Sequence, residues 1–301
     1  MRRRPICFLP ILLGRRTIRR RCWREIKRDD PALPIAALVA CSPAVGSGDY
    51  ALYHDIQRTL ESCRNRVKDE KTEALLSLPE VLVTVNLTLP SMAPNWLKRG
   101  DFTLFPEHLR PFLLYLYALH LRNMGRHHEA CAVAHTTRVF MQNEKTFTWL
   151  EIFFCQLCAG YAYYFGDTEE ARRRLKEALD LGLPHGFIAP YAEWLTGYGG
   201  LMEDVLAREY PRLYKPALAH WTRVNKNWMG FRNRFTIENI ATILTPQEQH
   251  AALLFARGKT YRQTAQTLNL SVGRVKGLIS SCYEKLSISG REELKKRLLT
   301  Y

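Results

Sequence analysis

Two short stretches of this chain repeat one another at a fixed distance. Gly125-Arg-His-His-Glu-Ala130 and Gly166-Asp-Thr-Glu-Glu-Ala171 lie 41 residues apart. Each follows an apolar, helix-patterned run (Phe112–Met124, Phe153–Phe165) and opens another (His128–Met141, Thr168–Leu181). Glycine suits a helix stop because it adopts positive φ without steric cost. Asp167 can cap the helix that follows, and Glu169 and Glu170 favour its positive N-terminal end. Small residues at Ala118, Ala130, Ala159 and Ala171 let paired helices approach closely. A chain built on such units is expected to be all-α.

The flanking segments agree. Leu52, Ile56, Leu60 and Cys63 form one helical stripe. Lys71–Leu78 reads as a second helix. Val81, Val83, Val85, Leu87 and Leu89 alternate like a strand, but a lone strand among helices has no partner, so Leu78–Leu89 is assigned as helix. Pro90, Pro94, Gly100 and Pro106 mark a loop around Trp96. Leu201–Glu209 and Leu213–Val224 continue as helices. Trp221–Trp228 and Phe231–Phe235 interleave aromatics with bases, which can make a nucleic-acid stacking surface but more often marks a helix burying Trp221, Val224 and Trp228 while Arg and Lys stay in water.

Charge divides the chain. The net charge is +15, of which residues 1–30 carry +8, residues 244–301 carry +6 and the middle carries +1. Two basic ends on a near-neutral body point to a polyanion, either nucleic acid or an anionic lipid surface. Residues 1–48 mix an Arg cluster with Pro31, Pro34, Pro43, Gly46 and Gly48. They are expected to be a poorly ordered basic leader, with at most a short apolar helix at Ala32–Cys41. No apolar run is long enough to span a membrane. The scattered cysteines form no disulfide framework, and a cytoplasmic protein is expected. Residues 49–239 then form the repeat domain and 240–301 a separate C-terminal domain.

Residues 244–299 read as four short helices. Thr245 is an N-cap, Pro246 sits at N1, and Glu248 reaches back as a capping box. That helix stops at Gly258. Tyr261–Leu268 is the second, Asn269-Leu-Ser271 the turn, and Ser271 caps the third. Val275, Leu278, Ile279, Cys282 and Leu286 form the third helix's buried stripe, facing away from Arg274, Lys276, Gly277, Ser280 and Ser281. Two short helices joined by a tight turn, the second basic near its start, have the geometry of a major-groove reader.

From Leu244 to about Leu294 the sequence resembles the LuxR/GerE-type helix-turn-helix domain of bacterial transcription regulators. Leu244, Thr245, Glu248, Leu254, Ala256, Gly258, Ala265, Leu268, Ser271, Val275, Lys276, Ile279, Lys285, Leu286, Ser289 and Arg291 carry the likeness. Gln247, His250, Thr264 and Leu278 depart from it, where the family usually has Arg, Glu, Ile and His, and Gly277 removes a side chain from the reading face. The repeats are similar to tetratricopeptide-type helical repeats. The whole arrangement resembles the C-terminal part of MalT-like regulators without their NTP-binding module. No phosphate-binding loop precedes Gly258-Lys-Thr260, since Leu253 stands where its first glycine is needed.

The resemblance implies a sequence-specific regulator of transcription acting on double-stranded DNA. The recognition helix 272–286 would read bases through Arg274, Lys276, Ser280 and Ser281. Lys259, Thr260, Arg262 and Lys285 would contact phosphates. Leu294 and Leu298, expected to be exposed, would form a homodimer face. The repeats would bind a small-molecule or protein effector. Two other readings stay open: an interaction scaffold with a degenerate helix-turn-helix domain, supported by Gly277 and Leu278, and a membrane-surface protein using the basic start. Neither a cofactor nor a metal is expected. Cys155 and Cys158 lack the second pair a zinc site needs, and His127-His128 reads as a surface turn. No catalytic spacing is found, so no enzyme is expected.

Overall fold

A computed structural model describes residues 23–141, 148–198, 200–232, 244, 246–286 and 288–299. The fold is all-α, with no strand among the described residues. The chain divides into two compact units, Met1–Val133 and Ala134–Tyr301. The expected boundary at 239/240 lies outside the described residues.

The first unit begins with α1 (Leu33–Gly46), α2 (Tyr50–Arg64) and α3 (Glu70–Asn86). Of the expected basic leader, residues 1–22 lie outside the described residues, and α1 is longer than the short helix expected at Ala32–Cys41. It buries Leu33, Ala37, Cys41, Ala44 and Val45 and packs against α2 and α3. It shows no amphipathic period because it is apolar on nearly all sides, as befits a helix enclosed by neighbours. Trp23 is also buried, its Nε1 donating to Asp55 Oδ2 at 2.8 Å. Lys71–Leu78 and the strand-like Val81–Leu89 belong mostly to one helix, α3. Ala74, Leu78, Val81 and Val85 bury one face, and Leu76 and Val83 bury the opposite one. At 100° per residue, two buried faces on opposite sides produce alternation. Short α4 (Asn95–Arg99) leads to α5 (Arg110–Asn123), which packs on α3. There Asn123 Nδ2 donates to the Val85 carbonyl at 2.8 Å.

The unit boundary falls within α6 (His127–Met141), which is followed by α7 (Thr148–Tyr164) and α8 (Thr168–Gly182). The 41-residue echo holds at the level of the backbone. The amide of Arg126 bonds the Leu121 carbonyl, as Asp167 bonds Ala162; Gly125 bonds Arg122, as Gly166 bonds Tyr163. Both glycines have positive φ, 76° and 90°. Ala118, Ala130, Ala159 and Ala171 are all fully buried. The copies differ in their caps: Asp167 accepts from the Glu170 amide at 2.9 Å, whereas Arg126 pairs with Glu129.

Cys155 and Cys158 face the core on α7, and burial pushes the Cys155 thiol up against the opposing charge of Arg138. Arg138, itself buried, donates to Cys155 Sγ at 3.2 Å and pairs with Glu177. The chain continues through α9 (Ala189–Glu193), α10 (Leu201–Glu209) and α11 (Pro211–Arg232). Tyr191, Leu195, Tyr198, Met202, Val205, Leu206 and Trp221 share one core with α7 and α8. The C-terminal helices are α12 (Pro246–Ala256), α13 (Tyr261–Leu268), α14 (Val272–Leu286) and α15 (Arg291–Leu299).

Candidate nucleic-acid interface

The four C-terminal helices surround their own apolar core, with α12 packed against α13, α14 and α15. Gly258, at φ 103°, stops α12. Thr260 caps α13 in a capping box with Gln263. Asn269 ends α13 in the left-handed region at φ 53°, a conformation asparagine tolerates better than most residues. Ser271 Oγ accepts the Arg274 amide at 3.1 Å and so caps α14. Helix α14 buries Val275, Leu278, Ile279, Cys282 and Leu286, the stripe read from the sequence. Burial, reinforced by the charge of Glu248, pushes the Cys282 thiol up to about 12.

The opposite face of α14 is open. Arg274, Lys276, Gly277 and Ser280 are exposed. No Asp or Glu lies between Glu248 and Glu284, so α13, the turn and most of α14 carry only positive side-chain charge. Arg274 Nη2 donates to Gln247 Oε1 at 3.1 Å, so a residue that departs from the family pattern steadies a base-reading candidate. The Lys276 ammonium lies 5.9 Å from the Tyr261 ring centre. Tyr261 stacks on Phe255 at 4.6 Å, and the Arg291 guanidinium sits over Phe255 at 4.5 Å. Arg291 also donates to the carbonyls of Phe255 and Lys259, at 2.9 and 3.0 Å, tying α15 to the turn before α13. A Cβ on Gly277 would meet nothing within 4 Å, so this position leaves bare backbone on the open face.

Several candidate site residues are engaged elsewhere. Ser281 donates to Glu248 Oε1 at 2.6 Å, and Lys285 reaches both Glu248 oxygens at 2.9 and 2.8 Å. Both side chains, expected at bases and phosphates, here serve a buried carboxylate on α12. The Thr260 hydroxyl is likewise occupied by Gln263. Leu294 is fully buried and Leu298 packs on the same core, so neither is an exposed dimer face. Both positions continue the inward stripe that closes the bundle. Thr245 lies outside the described residues. Lys259 is half-buried, its stem passing over Gly200, while Arg262 is exposed. Neither makes an ion pair among the described residues.

The remaining departures from the family pattern have physical counterparts. His250 Nε2 lies 2.9 Å from Glu203 Oε1 on α10, with both side chains buried. Its ring packs on Trp221 of α11, 4.5 Å between centres. Nothing in the apolar run around Glu203 points to this pairing, although His250 itself is conspicuous as a departure. Nearby, burial first and the charge of Glu203 second push the Tyr214 phenol up to about 12. Tyr214 donates to the Thr267 carbonyl at 2.9 Å, Asn225 donates to Gln249 at 2.8 Å, and Leu253 packs on the α7–α11 core. These contacts place α12–α15 in one compact unit with α7–α11.

Thr264 is fully buried on α13, and its hydroxyl has no hydrogen-bond partner among the described residues. Thr264→Val replaces that hydroxyl with a methyl group of similar shape. It is expected to raise stability by about 1 kcal/mol, because burying an unpaired hydroxyl costs roughly that much or more. The denaturant midpoint of the full chain checks this. A lowered midpoint would mean that the hydroxyl has a partner.

Comparison of the chain with protein-family models, curated proteins and solved structures finds no match.

Proposed function

We propose that the C-terminal helices bind duplex DNA, with α14 in the major groove, and that the protein regulates transcription as LuxR-type helix-turn-helix proteins do. The observation that carries the proposal is the acid-free surface between Glu248 and Glu284, with Arg274, Lys276 and Ser280 displayed opposite the buried stripe of α14. In this reading Arg274, Lys276 and Ser280 meet base edges, while Lys259 and Arg262 meet phosphates. Ser281, Lys285 and Thr260 hold the fold. The helical repeats, tetratricopeptide-like in this proposal, receive an effector or partner.

The test compares Lys276→Ala with Lys259→Ala in the full chain, on an operator selected from a random pool. Lys276→Ala is expected to cost about 1–3 kcal/mol on the operator and to relax base preference at one position per site. Lys259→Ala is expected to weaken all sequences alike and to reduce the salt slope by about one unit. Equal loss on operator and random duplex would make Lys276 a phosphate contact. If neither change alters binding, the open face of α14 serves an interaction scaffold, for which Gly277 and the buried Leu278 speak.

A further inference from the structure

Helix α11 carries a second basic surface, outside the C-terminal helices. No Asp or Glu lies between Glu209 and Glu238, so all of α11 is free of acid. Ala217, Trp221, Val224 and Phe231 are buried and lie on one side of the helix. Arg212, Lys215, Arg223 and Lys226 are all exposed. At 100° per residue these four fall in a single stripe diametrically opposite the buried one. They form two pairs, each about one turn high, separated along the axis by ~16 Å at 1.5 Å per residue.

Basic residues alone would mean little, and α8 shows why. Its Arg172, Arg173, Arg174 and Lys176 are matched by Asp204, Glu170, Glu177 and Glu209. On α11 the situation is reversed. None of the four stripe residues pairs with a carboxylate among the described residues, and the Arg223 guanidinium instead lies 3.3 Å from His220 Nδ1. The acids on the preceding helix are already taken, Asp204 by Arg172 and Arg208, Glu209 by Arg172 and Lys176. Four unmatched cations on one helix face repel one another in the folded chain, and a polyanion relieves that repulsion.

We propose that this stripe of α11 binds the phosphate backbone of duplex DNA, as a sequence-independent footing in addition to the groove contacts of α14. The inference rests on the duplex binding proposed above. Tyr214–Thr267 and Asn225–Gln249 fasten α11 to α13 and α12, so stripe and reading helix belong to one body. Phosphate is the fitting target because an exposed row of cations offers charge without the shaped donor–acceptor pattern that base edges require.

The experiment measures binding of the full chain to a random-sequence duplex of about 30 bp as salt is raised. It compares the unaltered protein, a variant carrying Arg212→Gln, Lys215→Gln, Arg223→Gln and Lys226→Gln, and a variant carrying Arg274→Ala and Lys276→Ala. Glutamine keeps a helix propensity close to that of Lys and Arg, and an unchanged melting temperature serves as the fold control. The four-site variant is expected to flatten the dependence of log K on log salt by about two to four units, at ~0.9 per phosphate contact. An unchanged slope in a protein that still binds duplex overturns the stripe and leaves the reading of α14 standing. No binding by the unaltered protein overturns both. If the four-site variant loses binding to this duplex while the Arg274/Lys276 variant keeps its affinity and, measured on the selected operator, its preference over random duplex, the stripe stands and the groove reading falls.

Discussion

Replacing His250 with leucine is expected to lower the unfolding free energy by about 3–5 kcal/mol. Glu203 is almost completely buried, and its Oε2 already lacks a partner among the described residues. The His250 imidazole serves its other oxygen, at 2.9 Å. Taking the imidazole away leaves a carboxylate inside an apolar seam with neither oxygen matched. The cost arises from the stranded group more than from the lost bond, so removing both partners should recover most of it. A His250→Leu, Glu203→Met double variant is expected to lie within about 1–2 kcal/mol of the unaltered protein, since well-packed apolar pairs commonly replace buried polar pairs without loss. Denaturant unfolding of the full chain checks both values. A double variant as unstable as His250→Leu would show that packing against Trp221, and not the carboxylate, sets the cost.

Gly182→Ala is expected to be nearly as damaging, for a steric reason. A Cβ at Gly182 would stand 1.9 Å from the Tyr191 hydroxyl and 3.0 Å from Ile152 Cδ1. Tyr191 cannot swing away. It is buried, and its hydroxyl donates to the Ala178 carbonyl at 2.7 Å. Overpacking of this kind costs about 1–3 kcal/mol, and a broken buried hydrogen bond adds about 1 kcal/mol. Thermal unfolding should therefore show a loss of about 2–4 kcal/mol. Tyr191→Phe in the same chain should return part of it by removing the clashing oxygen. If Gly182→Ala leaves stability unchanged, α8 and α9 can separate at this point without penalty.

Much of the local structure was legible in the residue pattern, and most of the long-range pairing was not. The stripe of α14 from Val275 to Leu286 follows directly from helical spacing, as do the Gly125 and Gly166 turns. Helix α1 and the second half of α3 were obscured because both are buried on more than one face, which erases the amphipathic period. At the candidate site, spacing placed Ser281 and Lys285 near the open face of α14, but it could not reveal Glu248 of α12 standing within reach of both. Leu294 and Leu298 looked like spare apolar residues on a charged helix, and their burial depends on a core assembled from α12 and α14. The unmatched state of the α11 cations is equally a property of three-dimensional neighbours. Sequence gives the charges, while the fold decides which of them are cancelled.

The seam between α10 and α12 bears on how this chain can be dissected. A fragment beginning at residue 240 would keep His250 but lose Glu203 and Trp221, and it would lay bare Leu253, which packs against the α7–α11 core. The isolated helices would be judged on a wound made by the cut. The same seam joins α12 to α10 and α11 through packed side chains. A displacement of α10 would then be handed on to α12 as leverage, through the buried His250–Glu203 contact.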